Sequence, residues 1–173
     1  VAFPSSTTLE IPTEYDLKGV RVIDVNDDAN ADIVMIGNLG GVPMLRTYRG
    51  NGDGTFIGPS ENMLPAGSWS KLLNINANGD AHPDFVTADS SHQVVAVLVN
   101  DGIGSFSETV IPTPQAPAQY LSTGDYNNDG NDDIAYTLVA EQQIFILNGN
   151  GDGTFAQTPR SIQLTHNAYQ LLS

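Results

Sequence analysis

The feature that most constrains this chain is an internal repeat, seen in two sets of segments that recur along its length. The first set, here called the glycine turns, comprises residues 50–56, 100–106 and 149–155. The second set, here called acidic loops 1 to 3, comprises residues 24–32, 76–84 and 125–133. Corresponding residues of successive copies lie 49 to 52 positions apart in both sets. Two independent sets with one period indicate a repeat architecture.

The repeat divides the 173-residue chain into units that cover nearly all of it. We predict that residues 1–173 form a single propeller segment made of three full repeats and the start of a fourth. The repeats are placed at roughly 4–56, 57–106 and 107–155, and the fourth begins within 156–173. Because the pattern begins and ends partway through a repeat, we expect this segment to belong to a longer array of repeats.

Within each repeat the pattern is that of short β-strands joined by turns. Apolar runs such as residues 33–36, 94–99 and 144–147 are rich in β-branched and aromatic types, and turn residues bound them. Consecutive apolar residues predict burial on both faces of a sheet. The predicted fold class is all-β, with β-propeller blades of four antiparallel strands each. Residues 111–114 contain two prolines and are predicted to form an outer edge strand, and the phenylalanines that end the glycine turns are predicted to pack between blades.

The acidic loops carry the chemistry, because side-chain oxygens recur at loop positions 1, 3, 5 and 9. These residues are Asp24, Asn26, Asp28 and Asp32; Asn76, Asn78, Asp80 and Asp84; Asp125, Asn127, Asp129 and Asp133. Position 7 is predicted to add a backbone carbonyl and is occupied by Asn30, His82 and Asn131. Such irregular sets of oxygen donors suit Ca²⁺, whereas Mg²⁺ requires a stricter octahedron. We therefore predict up to three Ca²⁺ sites.

An EF-hand and a simple turn are the two alternative interpretations of these loops. An EF-hand requires flanking helices and a Glu at position 12, where this chain has Met35, Thr87 and Tyr136. Asn, Asp and Gly also form turns without any ligand, but three copies in register favour a metal site. Loop 2 is predicted to bind Ca²⁺ most weakly, because only Asp80 and Asp84 are charged among its predicted ligands.

Composition limits the partners of the chain. It has 6 basic and 20 acidic residues and a net charge of −14, which argues against nucleic acid and anionic membrane surfaces. No apolar run approaches the length of about 20 residues that spans a bilayer. Cysteine is absent, which excludes disulfides and thiol chemistry.

No catalytic site is predicted on this segment, because the known nucleophile, metalloprotease and phosphate-loop motifs are absent and the glutamates are scattered. Trp69, Tyr120 and His92 are instead candidate ligand contacts. The aromatic rings could stack on sugar rings or belong to the core between blades.

The sequence Asp125-Tyr-Asn-Asn-Asp-Gly-Asn-Asp-Asp133, an apolar strand and then Gly149-Asn-Gly-Asp-Gly-Thr-Phe155 resemble the FG-GAP/VCBS repeat. This resemblance covers nearly the whole chain and implies a β-propeller, often seven-bladed, with Ca²⁺ in a hairpin loop of each blade. Of the family's glycines at positions 4 and 6, only Gly79 and Gly130 remain.

The resemblance also implies function and location. It suggests an extracellular, non-catalytic module for recognition or adhesion, lectin-like or protein-binding, whose ligand is a glycan or an extracellular protein. The alternative is an accessory or substrate-binding segment of a larger secreted carbohydrate-active enzyme. Because propellers have about four to eight blades, the ring is expected to be completed by a homo-oligomer or by further blades of a longer chain.

Overall fold

The computed structural model describes residues 8–113, 118–138 and 142–165, and in this part of the chain the regular structure is entirely β. Twelve strands form three four-stranded sheets. Sheet A contains β1 (Tyr15–Ile23), β2 (Asp32–Leu39), β3 (Val42–Gly50) and β4 (Phe56–Met63); sheet B contains β5 (Trp69–Ile75), β6 (Asp84–Asp89), β7 (Val94–Asn100) and β8 (Phe106–Pro112); sheet C contains β9 (Ala118–Gly124), β10 (Asp133–Leu138), β11 (Gln143–Leu147) and β12 (Arg160–Gln163). The described residues include no helix long and apolar enough to cross a membrane.

Every sheet is an antiparallel meander in which chain order equals spatial order. The first strand of each sheet forms its inner edge and the fourth its outer edge, and the inner strands β1, β5 and β9 lie next to one another. Pro112 ends β8, an outer edge strand, as predicted for residues 111–114. The predicted blades of four antiparallel strands are confirmed, and the described residues do not by themselves close a ring.

The sheets pack face to face because their central strands are apolar on both sides. Val34 and Ile36 of sheet A join Leu72 and Phe85 of sheet B in one buried cluster. Met35, which lies between Val34 and Ile36, points to the opposite face of sheet A. A second buried cluster joins sheets B and C in the same manner. Continuous apolar runs therefore become strands buried from two sides.

The phenylalanines of the glycine turns point toward the preceding sheet. Phe155 is 3% exposed in the cluster between sheets B and C. Phe106 packs on the cluster between sheets A and B, and its ring centroid lies 5.4 Å from that of Phe85. These two confirm the predicted packing between blades. Phe56 lies on the outer face of sheet A, beside Met35.

The boundaries of the sheets along the chain differ from those of the predicted repeats. The segment after each glycine turn forms the outer strand of the sheet that precedes it, so Arg160–Gln163 completes sheet C. Residues 166–173, the last eight of the predicted fourth repeat, lie outside the described residues, as do residues 1–7.

Candidate metal-binding loops

The acidic loops and the glycine turns lie at the same end of the sheets. Each acidic loop connects the first strand of a sheet to the second, and each glycine turn connects the third strand to the fourth. In an antiparallel meander these two connections fall on one side. The topology therefore brings together two motifs that are about 20 residues apart in sequence.

In loops 1 and 3 the oxygens of positions 1 and 3 converge on one atom. The backbone nitrogen of Asp28 lies 3.3 Å from Oδ1 of Asp24 and 3.4 Å from Oδ1 of Asn26. The backbone nitrogen of Asp129 lies 3.2 Å from Oδ1 of Asp125 and 2.8 Å from Oδ1 of Asn127. Both loops thus fold the same way. The side-chain oxygens of positions 1 and 3, which could serve as metal ligands, lie together beside position 5.

The carboxylate at position 5 is held in its charged form. The backbone N–H of Asn30 donates to Oδ1 of Asp28 at 2.8 Å, and the side-chain amide of Asn26 donates to Oδ2 at 3.0 Å. These hydrogen bonds, the backbone one first, lower the pKa of Asp28 below its ordinary value. The equivalent bonds from Asn131 and Asn127 lower the pKa of Asp129.

Acidification should therefore weaken the calcium-free fold through these loops. Because the folded-state pKa of Asp28 and Asp129 is lowered, their contribution is present above the unfolded-state value of 3.8 and is lost as the pH falls through the folded-state pKa. Thermal unfolding in a chelator from about pH 5 to about pH 2 measures this loss. The Asp28→Asn and Asp129→Asn double variant should show a shallower decline than the unmodified chain. If the melting temperature of the double variant falls with pH as steeply as that of the unmodified chain, Asp28 and Asp129 do not cause the acid sensitivity.

The aspartate at position 9 ties the acidic loop to the glycine turn of its own sheet. Asp84 is fully buried and accepts two backbone hydrogen bonds of 2.8 Å, from Ala77 in the loop and Asn100 at the turn. Asp32 and Asp133 are equally buried and accept the equivalent pairs of bonds. Burial raises the pKa of Asp84, although these N–H groups act in the opposite direction. A structural role thus adds to the predicted ligand role of position 9, which stays a prediction.

Position 7 explains why the turns contain glycine. A Cβ atom built on Gly52 would collide with Oδ1 of Asn30, and one on Gly151 would collide with Oδ1 of Asn131. Both glycines also have positive φ, at 77° and 73°. The position 7 side chain therefore packs directly against the glycine turn. This contact joins the acidic loop and the glycine turn of the same sheet.

Loop 2 differs from the other two loops in its charge and in its histidine. Nδ1 of His82 lies 3.4 Å from Oδ2 of Asp80, and Nε2 lies 3.3 Å from Oδ2 of Asp27 in loop 1. The imidazole therefore lies between two acidic loops. Asn76 accepts a single bond, from the backbone of Gly79 at 2.9 Å. These contacts agree with the predicted weakness of this site, which stays a prediction.

The donor set fits a hard cation only when amides are counted together with carboxylates. Within the described ranges, no group of three or more His, Cys, Asp or Glu side chains could hold a metal ion by itself. Loops 1 and 3 offer Asp–Asn–Asp sets, and the ion pairs found among the described residues join no Lys or Arg to these carboxylates. Carboxylate and amide oxygens are the ligands that Ca²⁺ takes.

A cavity of about 410 Å³ lies where the loops meet. Its polar lining includes Asp24 of loop 1, Asn76, Asp80 and His82 of loop 2, and Asp132 of loop 3. Oδ2 of Asp132 accepts the backbone N–H of Asn76 at 2.8 Å, which joins loops 2 and 3. The acidic end of the sheets thus forms one continuous polar surface.

The candidate ligand contacts are held by other residues of the chain. Trp69 is 2% exposed in the cluster between sheets A and B, and its indole N–H donates to the carbonyl of Pro65, so its predicted ligand role is wrong and the core alternative holds. Tyr120 carries the ammonium of Lys71 at 4.3 Å from its ring centroid. His92 bonds the buried Asp89 at 2.6 Å, which places it in a structured loop.

Sequence reasoning missed the polar seam between neighbouring sheets. The side-chain amide of Asn100 donates to the carbonyl of Val25 at 2.8 Å, and the backbone N–H of Gly153 donates to the carbonyl of Ala77 at 2.9 Å. Val25 and Ala77 both occupy position 2 of an acidic loop. Each of these two loops is thus bonded by the glycine turn of the following sheet. The common phase of the two motifs was the signal that could have suggested this contact.

The stacked four-stranded meanders, with paired acidic loops and glycine turns at one end, define blades of the β-propeller class. Residues 76–136 match the family model of the FG-GAP-like repeat. This segment runs from the start of loop 2 into β10, so the predicted resemblance to the FG-GAP repeat is confirmed on it.

The chain was also compared with curated proteins and with solved structures. Among curated proteins, no match was found. The chain is similar to part of a structure of the Photorhabdus luminescens Tc holotoxin pore, with 15% identity and a TM-score of 0.45. The alignment covers 92% of this chain and 10% of that chain, so this chain spans a tenth of its length.

Proposed function

We propose that this chain is a calcium-binding β-propeller segment that recognises a glycan or a protein ligand outside the cell. In this proposal Ca²⁺ occupies loops 1 and 3 and binds more weakly in loop 2. The segment itself has no catalytic role. Its ligand binds at the acidic-loop end, where the three loops border one cavity.

One observation carries the calcium proposal: the convergence of the oxygens of positions 1 and 3 on the backbone nitrogen of position 5 in loops 1 and 3. Asp24, Asn26 and Asp28 would hold the ion in loop 1, and Asp125, Asn127 and Asp129 in loop 3. A bound Ca²⁺ supplies positive charge that offsets the repulsion between these carboxylates. It also supplies a rigid link between residues that are otherwise held only by turn hydrogen bonds.

The chain charge and the medium support an extracellular role. Loops built from two carboxylates and an amide have modest affinity, and such sites fill at the millimolar calcium found outside cells. A net charge of −14 also disfavours binding to nucleic acid and to anionic lipid.

Removal of one position 5 carboxylate should abolish the calcium response of that loop. Asp28→Ala is expected to lose the stabilisation given by one site, about 2.7 kcal/mol at a calcium concentration of 100 times Kd. The measurement is calorimetric titration with Ca²⁺, combined with unfolding curves in Ca²⁺ and in chelator. The expected unmodified result is two stronger sites and one weaker site.

Asp53→Ala is the matched control, because Asp53 is also an exposed aspartate with a lowered pKa, lies in the first glycine turn and is bonded by Thr55. It should keep all calcium sites. If Asp28→Ala and Asp53→Ala respond to calcium as the unmodified chain does, the calcium proposal fails.

Recognition is tested separately, by probing a glycan array and a set of immobilised extracellular proteins in calcium. We expect the unmodified chain to bind at least one glycan or protein probe in calcium. Both the addition of chelator and the Asp28→Ala substitution should reduce this binding. Binding that chelator leaves unchanged would place the ligand away from the acidic end. Turnover of a bound glycan would contradict the non-catalytic assignment.

A further inference from the structure

A cavity of about 260 Å³ lies in the outer half of sheet A, between β3 and β4. Its lining comprises Thr47, Arg49, Ile57, Gly58, Pro59 and Ser60. Ile57 is 63% exposed and Arg49 is exposed as well, so the cavity can be reached from solvent. A water molecule takes up about 30 Å³ in the liquid, so this space is larger than a single water needs.

A bulge in β4 accompanies this cavity. Thr47 pairs with Ser60. Two residues further along β3, Arg49 pairs with Ile57, so two residues of β4 lie opposite one residue of β3. Gly58 is one of the two, and a Cβ atom built on it would lie 2.9 Å from the carbonyl oxygen of Thr47. Its φ of 125° also favours glycine, which permits the close approach of the two strands at the bulge.

Two hydroxyl groups at the cavity have no hydrogen-bond partner among the described residues. Thr47 is 1% exposed, and both its Oγ1 and the Oγ of Ser60 are buried. Buried polar groups of folded proteins are nearly always paired with protein, with water or with an ion. Because no other group holds these two hydroxyls, each can rotate about χ1 toward the cavity that its residue lines.

Arg49 supplies a positive charge to the same cavity. Its Nη2 donates to the carbonyl of Ile103 in the glycine turn of sheet B at 2.6 Å, which anchors the side chain. This bond uses one of the five N–H donors of a guanidinium and leaves the others for a ligand. None of the ion pairs found within the described ranges includes Arg49. An anchored guanidinium of this kind matches the geometry of an oxyanion.

The repeat shows that these polar residues are a local departure. Counted back from the first residue of the glycine turn, Thr47 of sheet A corresponds to Val97 of sheet B. Arg49 likewise corresponds to Val99. Val97 is fully buried in the cluster between sheets B and C, and Val99 packs against that cluster. Because valine satisfies this position of a blade, packing alone does not account for a hydroxyl and a charge at the junction of sheets A and B.

We propose that this cavity binds an oxyanion, which is a sulfate, phosphate or carboxylate group, either free or carried by a larger ligand. Arg49 pairs with its charge, and the hydroxyls of Thr47 and Ser60 donate to its oxygens. Ile57 and Pro59 offer apolar surface to the body of a ligand that carries the group. The net charge of −14 does not prevent binding, because charges beyond about 8 Å are largely screened at physiological salt. No acidic-loop residue lines the cavity, so this proposal is independent of calcium.

The first test is an NMR titration of the isotope-labelled chain with sodium sulfate, in chelator and at constant ionic strength. We expect saturable shifts of the backbone amides of Gly58 and Ser60 and of the Nε–H of Arg49, which sodium chloride does not produce. Arg49→Gln should weaken sulfate binding at least about tenfold, because an ion pair and its charge-assisted hydrogen bonds are lost. The proposal is overturned if sulfate, phosphate and acetate all fail to give saturable shifts.

Arg21→Gln is the matched control, because it removes the same charge from the same sheet and Arg21 does not line this cavity. The control should keep the sulfate affinity of the unmodified chain. Equal losses in the two arginine variants would mean that net charge, and not the cavity, attracts the anion. That result would also overturn the proposal.

Thr47→Val separates the role of the hydroxyl from the stability of the fold. Valine has nearly the shape of threonine, and Val97 already occupies the equivalent position, so the variant should resist denaturant at least as well as the unmodified chain. Its sulfate affinity should nevertheless fall about two- to tenfold, because one donor to the anion is lost. An unchanged affinity would contradict the proposed donor set.

The source of the oxyanion is tested with sulfated, uronate-bearing and neutral glycans of the same backbone. Tighter binding of a charged glycan than of inorganic sulfate would support a group on a larger ligand. Equal or tighter binding of inorganic sulfate would support the free anion. Neutral glycans that compete with sulfate as well as the charged ones do would overturn the oxyanion site. Because every titration is made in chelator, failure here leaves the calcium proposal in place.

Discussion

Replacing Asp84 with alanine is expected to lower the free energy of unfolding by about 2–6 kcal/mol, with or without calcium. The carboxylate is fully buried and receives the backbone N–H groups of Ala77 and Asn100, both of which are also buried. Alanine leaves both donors without a partner, and each unsatisfied buried donor costs about 1–3 kcal/mol. The measurement is denaturant unfolding in chelator and in calcium.

Asp80→Ala is the matched control for this prediction. Asp80 lies in the same loop and carries the same charge, but its side chain is 37% exposed and its hydrogen-bond partners Asn78 and His82 are only partly buried. In chelator, where no calcium site contributes, the control should lose much less stability than Asp84→Ala. Equal losses in the two variants would mean that loop charge, and not the buried pair of hydrogen bonds, sets the stability.

Gly151→Ala is expected to destabilise the fold by about 1–2 kcal/mol and to weaken calcium binding in loop 3. The left-handed backbone at φ 73° costs about 1–2 kcal/mol for a residue with a Cβ atom. The new methyl group would also collide with Oδ1 of Asn131, so the Asn131 side chain has to move. Because Asn131 is the predicted carbonyl donor of loop 3, its displacement should alter the calcium site as well.

Gly40→Ala separates the two contributions. Gly40 also has a positive φ, 57°, but no heavy atom lies within 4 Å of a Cβ built on it. This variant should show only the backbone cost and keep its calcium affinity. If Gly151→Ala is no worse than Gly40→Ala in unfolding and in calorimetric titration, the contact between the glycine turn and position 7 has no energetic role.

Much of the fold was predictable because periodicity and turn residues are local signals. The spacing of Phe56, Phe106 and Phe155 gave the repeat, and runs such as residues 94–99 gave the strands. The outer strand was predictable at Pro112 for a physical reason, since an edge position does not need the missing N–H.

The candidate site was predictable only in part, because its decisive contacts join distant residues. Nothing in the sequence around Asp84 separates a metal ligand from a clamp between two backbone segments, since both uses need a carboxylate at position 9. Trp69 could be a ligand platform or a core residue by sequence, and only packing against sheet A decides it. The bond from Asn100 to Val25 spans 75 residues, and no local pattern reports it.

The seam between sheets gives the chain a direction. The glycine turn of sheet B holds loop 1 through Asn100, and that of sheet C holds loop 2 through Gly153. The position 2 carbonyl of each of these two loops is therefore bonded by the blade that follows it. Truncation is unequal from the two ends: removing sheet C would release loop 2, whereas removing sheet A would leave this bond in place. During synthesis from the N-terminus, each acidic loop would thus acquire its final restraint only after the next blade has emerged.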